Sequence, residues 1–175
     1  MSTIIVAAIL IGAIVAICLL LISIANKQKH KQMNQLLNRF SELGTSHNLS
    51  FSSQNVLNNC IIGLDGINRK LLALTQIDNT SFDDYVVDLD EVKNCTIKKH
   101  YGNIKPGDLK NKKLETYLER VSLHFDFHNG KEAIEVPFYE HAENSIYHLE
   151  DFEHRAEHWK QILTKMLKGS IKKIA

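Results

Sequence analysis

The sequence predicts an α+β protein. An N-terminal transmembrane helix and a juxtamembrane helix precede an antiparallel β-barrel or sandwich of about seven strands, closed by a C-terminal amphipathic helix. Three observations carry this reading. Ile4 to Ala25 contains no charged side chain. Between Leu49 and Tyr139, short apolar–polar alternations are separated by turn residues. From Ser145 onward, apolar residues recur every three or four positions. The divisions that follow are 1–25 for a single transmembrane anchor, 26–44 for the juxtamembrane helix, 45–168 for the β domain with its helix, and 169–175 for a basic tail.

The run IIVAAILIGAIVAICLLLISIA spans about 33 Å as a helix, against a hydrocarbon core of about 30 Å. A cleaved signal peptide has a basic leader and a shorter apolar core. Here the leader is Met1-Ser2-Thr3 and the run is long, so an uncleaved anchor is expected. Lys27, Lys29 and Lys31 follow the run and no basic side chain precedes it. Positive flanks stay on the cytoplasmic side, which puts the N-terminus out and the remainder at the cytoplasmic face of the cell membrane. Ala8, Gly12 and Ala16 share one helix face, a spacing that suits close helix–helix approach and makes them candidates for self-association.

Beyond the membrane, Met33, Leu36, Leu37, Phe40 and Leu43 keep helical spacing, and Gly44 supplies a stop. At barely two heptads the stripe is short for a coiled coil, so docking on the following domain is expected. Strands are expected at Leu49–Ser53, Asn59–Leu64, Lys70–Gln76, Tyr85–Leu89, Val92–Tyr101, Arg120–His128 and Glu132–Tyr139. In one of them Val121, Leu123, Phe125 and Phe127 alternate with Ser122, His124, Asp126 and His128, the pattern of a half-buried strand. Asp65-Gly66 and Asn129-Gly130 mark hairpins. The final helix, Ser145 to Leu167, sets Leu149, Phe152, Ala156, Trp159, Leu163 and Met166 on one face.

This order of strands and terminal helix, with Trp159 in the segment EHWKQIL, resembles a pleckstrin-homology-like (PH-like) domain of the kind found in bacterial membrane-associated proteins. The segments IIGLDGINRKLLAL and YVVDLDEVKNCTI carry the likeness, which covers about residues 49 to 168. The resemblance implies a binding module for lipid headgroups or protein segments rather than an enzyme. Members that bind phosphoinositides cluster basic residues at the first hairpin. Here that hairpin offers only Arg69 and Lys70.

The charges nearly cancel, 21 Lys+Arg against 20 Asp+Glu, so no global field argues for nucleic acid. Cys60 and Cys95 are the only cysteines outside the apolar run, in strand-like stretches without metal spacing, and inert reduced thiols are expected. Asn48, Asn79 and Asn94 each begin an Asn-x-Ser/Thr triplet, which matters only outside the cytoplasm. His154 and His158, four apart on a helix, are the metal candidates. The helical wheel sets them at about 140° and 180°, whereas the apolar stripe centres at about 310°. A solvated face is therefore the expectation, with no cofactor. The acids from Asp78 to Glu91 lack the central glycine of a calcium loop. Lys98, Lys99, Lys105, Lys110, Lys112 and Lys113 form a basic segment suited to anionic lipid or phosphate. No catalytic nucleophile or phosphate-loop motif is present. The expected role is a non-catalytic module, integral to the bilayer, that binds a protein partner or a second copy of itself. Anionic-lipid or phosphate sensing, and a metal or enzymatic use of the helix histidines, stand as alternatives.

Overall fold

The computed structural model describes residues 2–78, 81–104 and 113–171, with side chains described between residues 11 and 167 of these. Helix α1 runs unbroken over Ser2–Ser46, so the apolar run and the amphipathic segment are one helix. It contains no proline, and its glycines do not interrupt it. The helix passes the expected stop at Gly44 by two residues. Its end is closed by backbone bonds from His47 and Leu49 to the carbonyls of Leu43 and Gly44, with Asn48 left-handed. Within α1, one stretch is long and apolar enough to cross a membrane.

Among the described residues seven strands follow: β1 (Ser53–Val56), β2 (Cys60–Asp65), β3 (Lys70–Gln76), β4 (Phe82–Asp88), β5 (Val92–Tyr101), β6 (Leu118–Phe127) and β7 (Ile134–Glu140). They form two antiparallel sheets, β1-β2-β3-β4 and β5-β6-β7. The barrel alternative is thereby corrected, because among the described residues no strand pairing joins the two sheets. The physical reason lies at the β4–β5 turn. Leu89 N–H donates to Arg69 O as a last rung of the β3–β4 ladder, and Asp90 N–H and Glu91 N–H then donate to the Asp88 carboxylate and carbonyl, so the chain turns there into the second sheet.

The sheets enclose one core that includes Ile62, Leu64, Leu71, Val87, Leu123, Phe125 and Tyr139. Helix α2 (Leu149–Ile171) packs on β5, β6 and β7 and completes that core with Leu149, Phe152, Ala156, Trp159 and Leu163. A second apolar cluster lies on the opposite face of the first sheet. There Leu36, Phe40 and Leu43 of α1 meet Ile61, Leu72 and Leu74, each such side chain contributing roughly 1.5–3 kcal/mol by leaving water. The amphipathic segment therefore docks on its own domain. Gly63 makes this approach possible: a Cβ there would sit 2.6 Å from Phe40 Cζ and 2.8 Å from Phe51 Cδ1.

The first strand departs from expectation, lying at Ser53–Val56 rather than Leu49–Ser53. Leu49 and Phe51 are drawn into the α1 cluster, and Phe51 stacks on Phe40 with ring centres 4.8 Å apart. The Asp65 carboxylate pins this segment by accepting from Ser50 N–H at 2.7 Å, while it also holds the β2–β3 turn through Ile67 N–H, Asn68 N–H and Asn68 Nδ2. Hydrogen bonds from the Asn68 and Ser50 amides outweigh its burial and lower its pKa from 3.8 to about 2. Arg69 adopts a left-handed φ of 53° at the same turn. Its guanidinium joins Asp90 at 2.7 Å to the Met166 carbonyl at 3.1 Å, tying the β4–β5 turn to the C-terminal part of α2.

The α2 boundary also shifts. Ser145 caps a short 3-10 turn, Ile146–His148, before the α-helix begins at Leu149. All three cysteines are free thiols. Burial raises the Cys60 pKa to about 11 and the Cys95 pKa to about 12, which leaves both thiols protonated and unreactive at neutral pH.

Candidate functional site

An open cleft of about 830 Å³, rich in charged side chains, is lined by residues of both sheets. The first sheet supplies Thr75, Gln76, Asp83 and Tyr85 from the adjoining ends of β3 and β4. The second supplies His100, Glu119, Arg120, Glu135 and Glu140, and the chain after β7 adds His141 and Glu143. Strand register explains the gathering. Thr75 is opposite Asp83, His100 is opposite Arg120, and Arg120 is opposite Glu140, so each ladder delivers polar pairs to one end.

Glu135 is the hub of the second sheet's outer face. Its Oε2 lies 3.0 Å from His100 Nε2 and accepts from Ser122 Oγ at 3.2 Å. Its Oε1 lies 3.1 Å from His124 Nδ1 and 3.6 Å from Lys98 Nζ. His124 Nε2 is in turn 3.0 Å from Asp126 Oδ1. The His124 ring is thus held between two carboxylates, one at each ring nitrogen. Burial alone would raise the Glu135 pKa. The His100 charge and the hydrogen bonds from Ser122, His100 and His124 outweigh it and hold the carboxyl below its ordinary value of 4.5.

Across the cleft the Tyr85 hydroxyl donates to Asp83 Oδ2 at 2.6 Å. That bond, together with burial and the charges of Asp83 and Glu132, raises the Tyr85 pKa to about 12 and fixes the phenol as a donor. Arg120 meets Glu140 at 2.8 Å, and Asn59 Nδ2 donates to the same carboxylate at 3.3 Å. The cleft lining carries Asp83, Glu119, Glu135, Glu140 and Glu143 against Arg120 as its permanent cation. This balance favours a positively charged occupant.

The sequence-derived candidates fall elsewhere. Lys98 and Lys99 belong to strand β5, not to a loop, and each is engaged within the domain, Lys98 with Glu135 and Lys99 with Glu153 at 2.6 Å. Lys113 is exposed just before the 3-10 turn Leu114–Tyr117, while Lys105, Lys110 and Lys112 lie outside the described residues. His154 and His158 stand exposed on α2, and among the described residues no group of three or more His, Cys, Asp or Glu is arranged to hold a metal ion. Lys27, Lys29 and Lys31 are exposed on α1. Gly12 has open space around it and Ala16 is exposed, whereas Ala8 lies on the helix without a described side chain.

The Glu135 network beside the cleft escapes a reading by periodicity. Ser122, His124 and Asp126 alternate with apolar residues and read as a solvent face, yet Ser122 and His124 are buried under their cross-strand neighbours. The available signal is a histidine on a strand flanked by strands rich in Glu and Lys. No family model matches the chain, and neither the curated proteins nor the solved structures contain a match.

Proposed function

We propose that this chain is a membrane-tethered, non-catalytic interaction module of PH-like architecture that binds a positively charged protein segment in the acidic cleft. The single observation that carries the reading is the cleft itself: an open groove of about 830 Å³ walled by both sheets, with acids in excess. Its open form and its charged side chains suit an extended chain segment better than a buried apolar ligand. The apolar half of α1 anchors the protein, with the N-terminus outside and the domain in the cytoplasm, as the lysines after the span favour.

Photo-cross-linking on the full chain in its membrane tests this. A photoreactive residue at Ala142, on the cleft wall, is expected to yield protein adducts that the same residue at Ile67 does not. The pair Glu119→Lys and Glu143→Lys is expected to abolish them. Adducts indifferent to probe position or to charge reversal would remove the reading. A protease-sensitive C-terminal tag, digested only after the cells are opened, is the expected result for orientation.

A further inference from the structure

The unbroken α1 fixes which end of the domain faces the bilayer. The apolar run stops at Ala25 and docking on the first sheet begins at Met33, about 12 Å further along the helix axis. A cavity at this level is lined by Ala25, Gln28 and Lys29 on one side and by Asn58, Ile77 and Glu143 on the other. The β1–β2, β3–β4 and β7–α2 connections therefore lie beside the first polar turns of the helix. A headgroup layer is about 5–7 Å deep on each side of the hydrocarbon.

Two large apolar side chains project from these connections. Ile77 follows β3 and is 67% exposed, and Tyr147, in the turn before α2, is 92% exposed. Ile146 beside it is also exposed. The turn reaches the same end because His148 and Asn58 share a cleft, and Asn58 also lines the cavity against α1. Exposed isoleucine costs free energy in water, and tyrosine favours the interface, where its ring sits among headgroups with the hydroxyl wet.

We propose that this end of the domain seats on the same bilayer that α1 crosses, with Ile77 and Tyr147 as its interfacial anchors. The inference rests on the membrane-spanning reading of α1. Seating turns the mouth of the acidic cleft, which shares Asn59, Gln76, Ile77 and Glu143 with the cavity beside α1, toward the membrane surface. The partner segment suited to that position is the basic flank of another membrane protein.

Fluorescence quenching on the full chain in lipid vesicles tests the proposal. With Cys18→Ser in place, the remaining buried thiols stay unlabelled, and an environment-sensitive dye is placed on Ile77→Cys, Tyr147→Cys, Ile67→Cys or Leu20→Cys in turn. Nitroxides on the lipid headgroups are expected to quench positions 77 and 147 about twofold or more over position 67, an exposed isoleucine at the opposite end. Equal quenching at 67, 77 and 147 overturns the seating. A dye at 77 that is shielded from water yet untouched by lipid nitroxides means that protein covers the site, and also overturns it. Quenching of position 20 by nitroxides deep in the acyl chains shows the span itself. Its absence would remove the anchoring reading along with the seating.

Discussion

The two sheets of this domain solve burial differently. The first is apolar on both faces: Ile62, Leu64, Leu71 and Ala73 enter the shared core, while Ile61, Leu72 and Leu74 meet α1 on the other side. Its strands accordingly read as continuous apolar runs, CIIGL and LLAL. The second sheet buries one face in the core and covers the other with the Glu135 network, so β6 alternates. A continuous run therefore announces a second layer of protein, and here that layer is supplied by the helix that precedes the sheet.

Breaking α1 docking is the largest available perturbation. Phe40→Ala is expected to lower stability by about 3–5 kcal/mol, seen as a depressed Tm and faster proteolysis near residue 46. An unchanged Tm would mean the second layer is dispensable. Gly63→Val comes next, at about 1–3 kcal/mol, because the new side chain meets the Phe40 and Phe51 rings. The paired change with Phe40→Ala should cost less than the sum of the two, since it removes one of the obstructing rings.

On the second sheet, His124→Ala is expected to cost about 1–2 kcal/mol by removing a partner of both Glu135 and Asp126, measured as a shift in the urea midpoint. Acid should find the carboxylates of both sheets. Asp65 and Glu135 have folded pKa values below their ordinary ones, so their contributions are complete above about pH 4.5 and decline as pH falls. For Asp65 the decline runs from about 4 to about 2, and Asp65→Asn should flatten that part of the pH–stability curve. At the small end, Lys98→Ala is expected to change stability by less than about 0.5 kcal/mol, since its contact with Glu135 is long and solvated.

Much of this fold was legible in the sequence because period and turn chemistry agree. Strands β3 and β5 have the expected bounds, and the α2 face fills the core as its spacing implies. Legibility failed where a tertiary contact overrode a local pattern. Leu49 and Phe51 look like strand residues, but the α1 surface claims them. Ser145 reads as the start of the long helix and instead caps a 3-10 turn before it. The cleft was illegible for a different reason: its walls come from segments some eighty residues apart in sequence, such as Asn59 and Glu140, and no local window holds both. Sequence pattern reports which face of an element is apolar, and it is silent on which polar faces converge.

One feature of α1 sets a rule of phase. A rod without a hinge carries its passenger like a flag on a pole, so azimuth and height are coupled through the 3.6-residue turn. Adding a single residue between Ala25 and Met33 would swing the whole domain by about 100° and lift it by about 1.5 Å, whereas seven added residues would nearly restore its heading about 10 Å farther out. The length of that short polar stretch is thus a compass setting for everything the domain presents.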